Sequence, residues 1–153
     1  MKTPSRKTLQ NRLDRNWSLA IRGRAGHKCE KCGQGVKRKK YKSASGEIKT
    51  KTFGIEAHHL IPRAFKRTRW SLANGVSLCS SCHHFRGAHS DSFLDQVNFH
   101  AWFWKFWYCD RQDKFGTFHD LMLEAKAWGS KPLPINEIKM LDNSLNLIVK
   151  GLK

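Results

Sequence analysis

The stretch GIEAHHLIPRAF, residues 54–65, sets His58 and His59 side by side after a short apolar run and closes with a proline and an arginine. On a strand, neighbouring side chains leave opposite faces, so an ordinary core buries at most one of this pair. The other is solvated or employed in chemistry. β-Branched residues lead up to the histidines at Ile48, Thr50, Thr52 and Ile55. The segment VKRKKYKSASGEIKTKTFGIEA, 36–57, therefore reads as two strands joined by a Ser/Gly turn near SASG, with a strongly basic hairpin over 37–52.

Downstream, RAFKRTRWSLANGVSLC, 63–79, is a basic loop ending in an Asn-Gly turn signal and then a short strand, Val76 to Leu78. Ser81 to about Ala88 is expected to form a helix, and Asp91 to about Cys109 a second. The latter carries Phe93, Leu94, Val97, Trp102, Phe103, Trp104, Phe106 and Trp107, and a helix apolar nearly all round is expected to be buried on more than one side. HAWFWKFWY, 100–108, holds one lysine among large apolar residues, so it reads as core or dimer contact rather than as a base-stacking platform. Cys109 within it is assigned to packing.

Upstream, Leu9, Leu13, Trp17 and Ala20 or Ile21 recur at helical spacing, giving a basic amphipathic helix over 7–26. Its arginine face serves equally as a solvated surface or as a DNA contact. The C-terminal part reads as two helices separated by the break SKPLP, 130–134, with a helix start at Pro134 and Ile135. The expected fold class is α+β in a single domain of 153 residues: a basic N-terminal helix over 1–28, a core over 29–90 and a helical extension over 91–153.

A formal net charge of +17, from 29 Lys plus Arg against 12 Asp plus Glu, is strong self-repulsion without a polyanionic partner. Nucleic acid is the natural one. No apolar run approaches the roughly 20 residues needed to span a membrane, and MKTPSRKTLQNRLDR lacks an apolar signal-peptide core. A cytoplasmic chain with no membrane partner is expected. In that reducing compartment, the pairs Cys29/Cys32 and Cys79/Cys82 favour metal over disulfides. Zinc takes four ligands in a tetrahedron, which two C-x-x-C knuckles supply while tying distant segments together. The long interval between Cys32 and Cys79 leaves room for a functional insertion.

That insertion holds His59, Asn74 and His83, with the second knuckle embedded in NGVSLCSSCH. Together with HHLIP, this resembles the HNH nuclease family. Its ββα-metal site has an acidic residue or histidine, then histidine, two apolar residues and proline, followed later by N-x-x-x-L-C-x-x-C-H. The resemblance covers roughly residues 29–90. It implies a ββα-metal core braced by a four-cysteine zinc site and cleavage of DNA, duplex or branched, with a catalytic divalent metal, Mg²⁺, Mn²⁺ or another transition metal.

Carried over residue by residue, the resemblance makes His58 a ligand of the catalytic metal and His59 the general base. His83 becomes the second ligand, and Asn74 either a clamp on the base or a member of the metal shell. A neutral histidine suits abstraction of a proton near pH 7. Arg63, Lys66, Arg67, Arg69 and Arg86 are the expected phosphate-contacting residues.

Two departures matter. The position before the base is histidine, which weakens the expectation of strict Mg²⁺ use. Where nuclease colicins carry a further histidine one turn on, this chain has Gly87, so the shell is expected to hold two protein ligands, with His84 and His89 as surface or DNA-facing residues.

A looser resemblance, carried by Arg63, Thr68, Arg69 and Asn74 around the second knuckle, is to phage NinG-type recombination nucleases. It suggests a bacteriophage origin and branched DNA. The rival reading is a non-catalytic zinc-stabilised nucleic-acid-binding module. An RNA-directed nuclease is a further class, separated by nicking of plain plasmid DNA. A zinc deaminase would need an H-x-E and a Pro-Cys pair, which HHL and LC do not provide. A homodimer would decide between nicking and double-strand cleavage.

Overall fold

Ser5 starts the first helix by accepting a hydrogen bond from the Thr8 backbone N–H at 3.2 Å, which satisfies one of the donors left open at a helix N-terminus. The computed structural model describes residues 4–85, 87–105 and 118–152. Helix α1 runs Arg6–Arg24 and buries Leu9, Leu13, Trp17, Ala20 and Ile21, the stripe the spacing predicts. Strands β1 (Lys37–Lys42) and β2 (Ile48–Phe53) pair antiparallel, as do β3 (Ile55–His59) and β4 (Gly75–Cys79). Helices α2 (Phe93–Trp104), α3 (Phe118–Trp128) and α4 (Ile135–Gly151) follow. The chain is α+β, with two separate two-stranded sheets among the described residues.

The core lies on both sides of the β3–β4 pair. On one side α1 packs against α4, bringing Leu9, Leu13, Trp17 and Ile21 together with Trp70, Leu133, Ile138 and Leu145. On the other, Val76, Leu78 and Phe99 join the cysteines Cys29, Cys79 and Cys82. A smaller cluster of Ile61, Ala73, Leu121 and Ala125 anchors α3 beneath the 60–74 loop.

Polar groups lock the α1–α4 contact. Arg12 grips the fully buried Asp142 with two nitrogens, its Nε at 2.8 Å, and Asn16 donates to Asn146 at 2.7 Å. Arg6 and Arg24 donate to backbone carbonyls of Leu133, Leu72 and Gly75. Much of the arginine face of α1 is thus occupied within the fold.

Three expectations change. The second hairpin strand does not run on through Ile55: it ends before Gly54, and β3 leaves to pair with β4, because Ile55 belongs to one buried cluster and the partly buried Ala57 packs against another while β1 is wholly exposed. The helix expected over 81–88 is a single π-turn, Ser81–Phe85, since the chain must bend there to bring Cys82 back to Cys79. Helix α2 is not buried on several sides within its described length. Phe99 and Phe103, one turn apart, face the core, whereas Phe93, Leu94, Val97 and Trp104 are exposed. A single apolar stripe suffices to dock a helix on a small sheet. Phe106, Trp107 and Cys109 lie outside the described residues.

Gly75 marks the tightest point. It opposes His59 in the ladder, and a Cβ there would come within 2.6 Å of Ile21 Cγ1 and 2.7 Å of Trp17 Cζ2. Gly75→Ala forces α1 off the sheet, and overpacking of this kind costs about 1–3 kcal/mol. A drop of several degrees in the thermal midpoint is expected by circular dichroism; an unchanged midpoint would show that α1 has slack over β4.

Candidate functional site

The pleat of β3 separates the two histidines. His59 points to the α1 side, where the missing side chain of its partner Gly75 leaves room for its ring to lie flat on Trp17, centroids 3.7 Å apart and planes at 17°. Its Nε2 is 2.8 Å from the Arg69 carbonyl. A carbonyl only accepts, so Nε2 carries the proton and Nδ1 is left with a lone pair, which accepts from Arg63 Nε at 3.3 Å. Burial is the main cause that holds His59 down at about 4, aided by the Arg63 charge and opposed by the Arg69 carbonyl. The imidazole is neutral across the physiological range, its Nδ1 lone pair engaged by Arg63.

His58 points the other way, toward the π-turn and the loop after it. Its Nδ1 lies 3.0 Å from Nε2 of His83, and its ring centroid is 5.0 Å from that of His89. A single ligand nitrogen from each of His58, His83 and His89 falls within 4.8 Å of the other two. Burial, then the charges of His83 and His89, lowers His58 to about 3. His83 is lowered by burial despite the opposing bond to Glu56.

Glu56, two residues before His58 and hence on the same face, accepts from His83 Nδ1 at 2.6 Å and from His84 Nε2 at 3.0 Å. Burial would raise this carboxyl, but the two imidazole bonds outweigh it and hold it below its ordinary value. With its Nδ1–H committed to Glu56, His83 turns the lone pair of Nε2 toward His58. A carboxylate behind a histidine is the usual support for a metal-ligating imidazole. Nitrogens bonded at about 2.1 Å to one ion at a right angle sit about 3.0 Å apart, the separation that His58 and His83 show. The same separation is that of a hydrogen bond between the two rings, and His58, His83 and His89 are a group whose nitrogens could hold a metal ion.

The pairs Cys29/Cys32 and Cys79/Cys82 converge as the spacing predicts, with all four Sγ atoms within 4.8 Å of one another. Cys32 and Cys79 Sγ are 3.7 Å apart, against an edge of about 3.8 Å for a tetrahedron with 2.3 Å zinc–sulfur bonds. The first knuckle is tied to the sheet by Glu30, whose backbone N–H donates to the Ser77 carbonyl and whose carboxylate accepts from the Ser77 N–H. Burial pushes the Cys29 and Cys82 thiols up. For Cys32, bonds from the Gln34 backbone and the neighbouring sulfurs outweigh burial and bring it down.

Asn74 is fully buried and clamps the loop between the strands: its Oδ1 accepts from Ile61 N–H at 2.6 Å, and its Nδ2 donates to the carbonyls of Ile61 and Thr68. These bonds span the loop, the arrangement expected of the clamp role. That loop carries the Arg69 carbonyl on which His59 rests. His58, His59, Pro62, Arg63, His83 and His89 line one cavity of about 330 Å³. An apolar cavity of about 400 Å³, lined in part by Phe99, Phe103 and Trp104, shares His58, His59 and His89 with it.

The expected phosphate contacts divide. Arg63 is exposed at the cavity, and Lys66 donates to the Arg63 carbonyl. Arg67 pairs instead with Glu124 and Glu137 and lies over Trp128, and Arg69 pairs with both oxygens of Asp14. These two arginines tie the loop to α3, α4 and α1, because the carboxylates they meet come from elements far away in sequence. Arg86 lies outside the described residues.

Two neighbours of the site were not assigned to it by sequence reasoning. His89 is exposed, as expected of a surface residue, yet its imidazole also lies beside those of His58 and His83, and Gly87 bears on this. A Cβ at Gly87 would collide with the Cys82 carbonyl, so that position cannot carry a side chain, and the imidazole beside His58 and His83 comes from His89. Glu56 was legible in principle from strand parity with His58. Searches against protein-family models, curated proteins and solved structures return no match to this chain.

Replacing one knuckle ligand tests the four-cysteine site. Wild-type protein is expected to keep about one zinc per chain after dialysis, and Cys32→Ser to lose it and melt earlier, since binding free energy at such a site is folding free energy. Elemental analysis and a thermal melt decide; a variant that retains stoichiometric zinc and the wild-type midpoint would refute the assignment.

Proposed function

We propose that this chain is a metal-dependent DNA endonuclease of the HNH type, with structural zinc on Cys29, Cys32, Cys79 and Cys82. The observation that carries the reading is one strand presenting two different imidazoles to one cavity: His59 with a lone-pair Nδ1, and His58 grouped with His83 and His89. A binding module needs neither. A divalent cation on His58, His83 and His89 would supply positive charge to a phosphate and to the departing 3′ oxygen. Three imidazoles favour Mn²⁺ or a later transition ion over Mg²⁺.

The chain's own groups account for the proton. His59 Nδ1 takes it from the attacking water, and the Nε2–H bond to the Arg69 carbonyl stabilises the imidazolium that results. Stacking on Trp17 and the Asn74 clamp hold that ring and that carbonyl in register. Arg63, which contacts Nδ1, exchanges that nitrogen for a phosphate oxygen when DNA enters, releasing the lone pair toward water. Glu56 acts one layer back, orienting His83.

Plasmid nicking over a metal titration at fixed pH tests these roles. His59→Ala is expected to keep metal and DNA binding and to lose about 10²- to 10⁴-fold in rate, the usual worth of a positioned general base. His58→Ala should lose metal affinity and recover part of its activity at high metal concentration. Wild-type nicking by His59→Ala would end the base assignment. No nicking of plasmid, linear duplex or four-way junction by wild-type protein with Mg²⁺ or Mn²⁺, despite tight DNA binding, would favour the zinc-stabilised binding module.

A separate substitution probes the supporting carboxylate. Glu56→Gln is expected to weaken activation by the metal about 10- to 100-fold while leaving the rate at saturating metal close to wild type. A fall in the saturated rate with unchanged metal dependence would instead place Glu56 in direct contact with the substrate.

A further inference from the structure

The ribbon formed by β1 and β2 stands apart from both cores. All six residues of β1 are exposed, and five of them, Lys37, Arg38, Lys39, Lys40 and Lys42, are cationic. A strand that packs on a core alternates between buried and exposed positions; β1 shows no such alternation, so both of its faces are presented to solvent. An isolated two-stranded hairpin is only marginally stable in water, and this one also sets Arg38, Lys40 and Lys42 along one face, like charges that repel one another. Among the described residues, none of the five β1 cations has a carboxylate partner, whereas Arg12, Arg67 and Arg69 are all neutralised within the fold. The ribbon therefore carries five exposed cations within six consecutive residues, a dense block of positive charge.

We propose that the β1–β2 ribbon is a docking arm that lies in the major groove of B-form duplex DNA, separate from the catalytic cleft. A two-stranded antiparallel ribbon fits a groove about 12 Å wide, and six residues extend roughly 20 Å along it. Cations on both faces reach both phosphate walls, and the polyanion relieves the repulsion the free ribbon carries. An A-form duplex has a major groove too deep and narrow to admit it. The arm rests on the reading of duplex DNA as substrate, adding to it a hold on the helix that the cleft does not provide.

The test uses the full zinc-loaded chain with no divalent ion added, so that binding is read without cleavage. Arg38, Lys39, Lys40 and Lys42 are replaced together by Gln, a change that removes repulsion and leaves the buried clusters untouched; a thermal midpoint no lower than wild type confirms folding. Affinity for one blunt duplex is measured across a salt series. The expected result is a log–log salt slope shallower by about 3, and a Kd weaker on the order of 10²- to 10³-fold near 0.1 M salt. Wild-type protein is also expected to shield guanine N7 atoms in the major groove from methylation, and the variant to lose that shielding.

An unchanged slope overturns the arm. So does an equal loss of affinity for an RNA duplex of the same sequence, which would mean backbone attraction without groove docking. Nicking at saturating DNA in low salt is measured separately. If the variant nicks normally there, the arm is distinct from the cleft. If wild-type protein never nicks yet the variant loses duplex affinity, the arm stands while the nuclease reading fails.

Discussion

The antiparallel pairing of β3 with β4 is the constraint on which the rest depends. Its register sets His59 opposite Gly75 and Ile55 opposite Cys79, so one short ladder ends in the histidine pair at one end and a cysteine knuckle at the other. Because the pleat alternates, His59 is delivered to α1 and His58 to the π-turn, and no rotation of side chains could exchange them. A slip of one residue would reverse the pair. It would also bury Glu56 against α1 and carry Ile55 away from its cluster, so the same hydrophobic contacts that hold the sheet hold the site.

The ladder is too short to be stable alone, and its supports are also the supports of the site. The four cysteines bring the first knuckle to the end of β4, and Glu30 exchanges two backbone-directed hydrogen bonds with Ser77 at its middle. On the opposite face Trp17 bridges fold and site: its Nε1–H donates to the Ser71 carbonyl, while its ring carries His59. Asn74, buried without contact to solvent, closes the loop whose carbonyl holds the same imidazole.

Charge is sorted by the fold. A chain of net charge +17 would be expected to turn its arginines outward, yet several of its carboxylates are placed beneath specific guanidiniums: Asp142 under Arg12, Asp14 under Arg69, and Glu124 with Glu137 around Arg67. These pairs join elements distant in sequence. The ribbon and Arg63 at the cavity mouth are among the cations left outward, so the arginines tied up inside the fold narrow the electropositive surface that composition alone suggests.

The amino-acid sequence by itself determined the α+β class, the stripe of α1, the basic hairpin, the break before α4 and the convergence of the two cysteine pairs, because each rests on local periodicity or on ligand types whose spacing has few physical uses. It also determined that the adjacent histidines diverge, since strand parity is a local property. Only the tertiary structure decided which arginines are occupied, that His89 rather than Gly87 completes the histidine trio, and that Glu56 stands behind His83. Those outcomes depend on which distant residues meet: a carboxylate in α4 claims an arginine in α1, and the Cys82 carbonyl leaves no space at Gly87. Spacing along a chain records neither meeting, because ion pairing and steric exclusion act through space and are set only once the elements have packed.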